Sequence, residues 1–140
     1  MYKEIRSSVD DSIILSIISG KDDIKDGLHF YGTKNDFIQV GGFKYSSGKV
    51  LRNHTHINRK RKSIKTQEIM VVLSGECIAR VYDINDILVH QAVLRDGQFI
   101  IVYNGGIGFT IVDDDTIMIE AKNGPYDVNS DDEDRRLIQK

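Results

Sequence analysis

Glu68–Tyr103, EIMVVLSGECIARVYDINDILVHQAVLRDGQFIIVY, decides the fold. Glu68–Leu73 is an apolar run closed by Ser74-Gly75. Cys77–Tyr82 alternates, with Cys77, Ala79 and Val81 on one face and Ile78, Arg80 and Tyr82 on the other, the period-2 pattern of a strand. Asp83–Asp86 is a hairpin-type turn, Ile87–Leu94 returns as a strand, Arg95-Asp96-Gly97 turns again, and Phe99–Tyr103 is a buried strand. Short strands with turn signals at close, regular spacing predict an all-β sandwich or barrel.

The pattern extends in both directions. Downstream, Asn104-Gly105-Gly106 turns into Phe109–Val112, and Asp113–Asp115 turns into an alternating strand at Thr116–Lys122. Upstream, strands are expected at Asp11–Ile18, Leu28–Tyr31 and Phe37–Tyr45. Gly41-Gly42 inside the last of these marks a bulge or a close backbone approach. Lys49–His56 reads as an extended segment. Twelve glycines against one proline fit turns built from Gly, Asn and Asp. No helical periodicity precedes residue 127. Residues 127–140 form an acidic tail, a short helix or a loose end, with the five acids Asp127, Asp131, Asp132, Glu133 and Asp134 read as a solvated face.

The totals set bounds. A chain of 140 residues suits one domain with a real core. Its 40% hydrophobic and 29% charged residues place it among soluble globular proteins. A net charge of -2 argues against a nucleic-acid partner. The single cysteine, Cys77, permits no intrachain disulfide, so a cytoplasmic location is expected. Cys77 reads as a small core residue. The apolar run Ile13–Ile18 is too short for a membrane span and follows two aspartates, so no membrane or targeting segment is expected.

Chemistry concentrates in Gly48–Gly75, GKVLRNHTHINRKRKSIKTQEIMVVLSG. On a strand, His54 and His56 would point to the same face, where two imidazoles can chelate one ion. Glu68 opens the next strand and would add a carboxylate if the two strands are neighbours. Two His and one carboxylate suit a divalent metal: iron, manganese, zinc or nickel. The basic loop Arg59-Lys60-Arg61-Lys62, flanked by Arg52 and Lys65, reads as a solvated loop able to hold a ligand's phosphate or carboxylate. It has no interleaved aromatics, so no nucleic-acid partner is expected. Glu120 and Lys122 share one face of the last strand, either as a paired acid and base near a site or as a structural ion pair. Tyr103 and Tyr126 are candidates to close a pocket. His90 lies on a strand of its own, and nothing points it at the site.

Gly48, five residues, His54-x-His56, then Glu68, six residues, Gly75 resembles the first motif of the cupin superfamily. The loop between His56 and Glu68 is longer than the motif ordinarily has. Asp96–Phe109, with Gly105-Gly106 inside it, resembles the second motif. Glu120-Ala121-Lys122-Asn123-Gly124-Pro125-Tyr126 is similar to a closing signature of small cupins of undefined activity, and Phe37–Gly41 and Thr66-Gln67-Glu68 add to the likeness. The resemblance spans residues 37–126. It implies a single-domain, cupin-like antiparallel β-barrel (a double-stranded β-helix, or jelly roll) over residues 1–126.

The resemblance further implies a divalent metal held by His54, His56 and Glu68, with Arg52, Tyr103, Glu120 and Lys122 facing a small-molecule ligand. A sugar or sugar nucleotide, a place in carbohydrate metabolism and a homodimer follow by the same analogy. The sequence departs from the family at the second-motif histidine, where Ile107 or Gly108 stands. Two other readings therefore accompany the metal site. One is a metal-free binding or structural module that has lost catalysis. The other is a metal-independent sugar-nucleotide ketoisomerase, with the His pair as acid and base beside a Tyr. That family's Arg-Gly before HxH is replaced here by Leu51-Arg52-Asn53.

Overall fold

The computed structural model describes residues 1–125, 127–130 and 134–139. Ten strands form: β1 (Lys3–Arg6), β2 (Ile14–Gly20), β3 (Gly27–Tyr31), β4 (Val40–Lys44), β5 (Glu68–Ser74), β6 (Glu76–Tyr82), β7 (Leu88–Arg95), β8 (Gln98–Val102), β9 (Gly106–Ile111) and β10 (Ile117–Lys122). Every pairing is antiparallel. A five-stranded sheet runs β1-β2-β8-β5-β10, a three-stranded sheet runs β7-β6-β9, and β3 with β4 makes a separate hairpin.

Side-chain alternation stacks these sheets. Ile5, Leu15, Ile18, Val72, Ile100 and Val102 of the large sheet meet Cys77, Ala79, Val81 and Leu94 of the small one in a core of buried residues. Full burial of such a side chain contributes about 2 kcal/mol. The other face of the large sheet carries Ile17, Phe99, Ile101 and Tyr103. Tyr31, Ile38 and Val40, from the hairpin and its approach, cover it. The central strand β8 is thus buried on both faces, which accounts for its unbroken apolar run instead of an alternation.

Gly75 joins β5 to β6 at φ 83°, and a Cβ there would stand 2.5 Å from Thr116 Oγ1 and 2.9 Å from Thr116 Cα. Gly105 has φ 71°, and a Cβ on it would come within 2.2 Å of the Tyr82 carbonyl oxygen. Both turns therefore need glycine for conformation and for space.

Among the described residues no closed barrel is found, because no ladder joins β1 or β10 to β7 or β9; the antiparallel sheets are compatible with a sandwich or a barrel. Lys49–His56, expected as an extended segment, is exposed and irregular. β1 is a strand the sequence reading did not anticipate. The strand expected from Phe37 begins only at Val40, because a glutamine side chain holds the N–H groups of Phe37 and Ile38. Gly41-Gly42 makes a close approach and no bulge. The β3–β4 register is unbroken, and the Phe30 ring lies 3.0 Å from the position of a Gly41 Cβ.

The tail is partly described. Val128–Ser130 makes a short 3-10 turn. Arg136 donates two hydrogen bonds to Asp86, at 2.8 and 2.9 Å. Ile138 packs over Gly106. Tyr126 and the acids at 131–133 lie outside the described residues.

Candidate functional site

The antiparallel register sets Lys122 of β10 directly opposite Glu68 of β5, and Glu120 opposite Met70. Met70 and Met118 pack against the inner core, so alternation puts Glu68, Glu120 and Lys122 on that same inner face, at one end of the sandwich. The shared face of Glu120 and Lys122 expected from sequence is therefore present, and Glu68 joins it. Lys122 Nζ lies 3.0 Å from Glu120 Oε1. Glu68 and Glu120 share a hydrogen bond.

Electrostatics divides the roles. Glu68 is half-buried, and burial, then the Glu120 charge and the hydrogen bond to it, push its carboxyl above the usual range; Lys122 pulls the other way. Burial and a neighbouring carboxyl both favour the protonated form of Glu68. The hydrogen bond that Lys122 donates to Glu120 holds its ammonium above the ordinary value. The cluster thus sets a carboxyl with a raised pKa beside a paired ammonium. A cavity of ≈ 320 Å³ opens at Val102, with Lys65, Thr66, Tyr103, Asn104 and Asp134 among its lining residues and none of Glu68, Glu120 and Lys122 among them. Val102 is the β8 partner of Glu68, and Asp134 adds to the field at Glu68.

The histidine pair is elsewhere. His54 and His56 sit in the exposed irregular segment, their ring centroids 5.2 Å apart and nearly perpendicular. His54 Nδ1 donates to the Arg52 carbonyl at 2.9 Å. The charged neighbours of Glu68 are Glu120, Lys122 and Asp134, and neither imidazole is among them. Among the described residues no three His, Cys, Asp or Glu side chains gather as a group that could hold a metal. His54, His56 and Glu68 in this arrangement do not fit a shared ion. Ile107, at the position of the missing second-motif histidine, packs against the inner core.

Tyr103 is only 2% exposed and packs on the opposite face of the large sheet from Glu68, and it also lines the ≈ 320 Å³ cavity. Burial, then the charge of Asp36, push its phenol far above the usual range, and its hydroxyl has no hydrogen-bond partner among the described residues. Arg52 is exposed in the irregular segment. His90 stands on β7 with Nδ1 3.5 Å from Lys3 Nζ. Cys77 is fully buried in the inner core.

One functional residue was not anticipated. Gln67 is 2% exposed and ties four segments together. Its Oε1 accepts from the N–H groups of Phe37 at 2.6 Å and Ile38 at 3.0 Å. Its Nε2 donates to Asp36 Oδ1 at 3.2 Å and to the Tyr103 carbonyl at 3.3 Å, and its own N–H donates to Asn123 Oδ1 at 2.6 Å. Gln67 thereby fixes the start of β5, and with it Glu68. The sequence signals were a polar residue at the foot of an apolar strand and its place in the Thr66-Gln67-Glu68 likeness, neither of which named its partners.

No protein-family model, curated protein or solved structure matches the chain. Among the described residues no helix is long and apolar enough to cross a membrane.

Proposed function

We propose that this chain is a small jelly-roll protein of cupin type that binds a small polar molecule, a sugar or sugar nucleotide being the favoured class, at Glu68, Glu120 and Lys122. The carrying observation is Lys122 paired with Glu120 at 3.0 Å on the inner face beside the half-buried Glu68 carboxyl, whose pKa is raised by burial and then by Glu120. A carboxyl and a cation side by side match a ligand with hydroxyl and anionic oxygens. The jelly-roll reading is supported by two antiparallel sheets whose neighbours are mostly distant in sequence, such as β2–β8, β5–β10 and β6–β9. The dimer, the cytoplasmic location and the link to carbohydrate metabolism rest on the sequence resemblance alone.

The binding is metal-independent in this reading, because the imidazole pair and Glu68 do not meet. Two measurements test it. Calorimetric titration with UDP-glucose and with glucose 1-phosphate should show binding that weakens as pH rises through the raised Glu68 value. Lys122→Met should weaken it about tenfold, the loss of a charge-assisted hydrogen bond. Binding unchanged in Lys122→Met and in Glu68→Gln would overturn the site. Elemental analysis of untagged protein purified without chelator should give less than roughly a tenth of an equivalent of transition metal. A stoichiometric metal lost in His54→Ala would restore the His54–His56–Glu68 centre and overturn the metal-independent reading.

A further inference from the structure

We propose that the outward face of the β3–β4 hairpin and the basic arm that follows it bind single-stranded nucleic acid. The surface lies apart from the Glu68 cluster, on the far side of the hairpin, and the argument starts from charge. Residues 37–67 hold eight of the chain's 19 Lys and Arg and none of its 21 Asp and Glu. The rest of the chain is strongly acidic, so the near-neutral total conceals a segregated cation. Residues 43–65 are exposed throughout. A long, extended, acid-free cation is complementary to a phosphate backbone.

The aromatics absent from the basic loop stand beside it. On the hairpin, Tyr31 and Val40 turn inward to the core, so their neighbours Leu28, Phe30 and Phe43 turn outward. They are 47%, 58% and 56% exposed, and Tyr45, just past β4, is 41% exposed. The Phe30 ring lies 3.0 Å from the position of a Gly41 Cβ. The Phe43 and Tyr45 rings lie 6.0 Å apart, tilted by 32°, and Lys49 Nζ sits 5.4 Å from the Tyr45 ring centroid. Aromatic platform and basic arm are therefore continuous. Isolated exposed rings are ordinary, whereas contiguous ones on a two-stranded ribbon mark a contact surface.

Ring faces flanked by cations suit unpaired bases, which stack on aromatics while phosphates meet Lys and Arg. A duplex offers no free base faces to such a ribbon. The acidic remainder repels a polyanion from other surfaces and so confines it to this one.

Fluorescence anisotropy with labelled (dT)20 and a matched duplex tests the proposal on the full chain. The oligomer should bind at 50 mM salt and weaken roughly 50-fold at 200 mM, as neutralisation of about four phosphates requires. Phe43→Ala and Tyr45→Ala should each cost about fivefold or more while the melting curve stays unchanged. Replacing Arg59, Lys60, Arg61 and Lys62 by Ser should flatten the salt dependence. No binding at 50 mM salt overturns the proposal. So does equal affinity for the duplex or heparin with no effect of the aromatic variants, which would mean simple polyanion attraction. Preference for phosphatidylserine vesicles, or self-association through this face by sedimentation, overturns it in favour of a membrane or a second copy.

Discussion

Gln67 and Glu68 on one side, and His54 and His56 on the other, belong to the same 28-residue stretch and meet opposite ends. The first pair stands at the foot of a strand paired on both sides, where register dictates every neighbour. The second pair lies in an exposed segment, where His54 donates to a carbonyl two residues away. Chemical potential in a sequence becomes a site only where the backbone is held by partners from elsewhere in the chain.

The largest blow to that contrast is Gln67→Ala. It would leave two buried N–H groups and a carbonyl without their partner, at about 1 kcal/mol or more each, so a melting temperature lower by roughly 10 °C is expected. A shift under about 2 °C would show that the segments hold without it.

The second blow is pH-dependent and falls on another tethered knot. Asp83 is buried, accepts from the N–H and hydroxyl of Ser8 at 2.7 Å each, and accepts from the Ile84 N–H at 2.8 Å. Burial opposes its charge, but these bonds and the Ser7 hydroxyl outweigh it and hold the carboxyl well below its ordinary 3.8. A carboxylate depressed in the folded state stabilises above its unfolded value and loses that contribution as pH falls through the folded one. Asp83→Asn should therefore be less stable than the parent at pH 7, with the gap narrowing below pH 3.8 in urea titrations. A gap independent of pH would mean that the carboxylate charge is not what matters.

The smallest effect sharpens the contrast from the loose side. His54→Ala and His56→Ala should each change stability by less than about 0.5 kcal/mol, as exposed positions do. A larger loss by chemical denaturation would place the imidazoles in a packed environment in solution.

Much of the sandwich was legible locally. β6 announces itself by strict alternation, β8 by an apolar run between Gly97 and Asn104, and Cys77 by its place on the apolar face. β1 was not legible, because Lys3–Arg6 offers one apolar side chain, Ile5, and pairs only through β2. Barrel closure depends on edges meeting across the fold, and no local pattern encodes it. The rule that i and i+2 share a face holds for strands, so it failed for His54 and His56 when their segment formed none. It succeeded for Glu120 and Lys122 on β10. Glu68 joined them through cross-strand register, and Gln67 gained its role from partners 29 to 56 positions away.

The solitary buried thiol supplies the molecule with its own clock. Cys77 has no exposed surface, and burial followed by the nearby Glu76 charge raises its resistance to ionisation. Thiolate is the reactive form, so a disulfide reagent cannot modify Cys77 while the two sheets stay closed over it. Each labelling event must wait for an opening of the inner core. The rate at which an unmodified sample takes up one label per chain therefore reads out how often the sandwich separates, under native conditions and without any engineered probe.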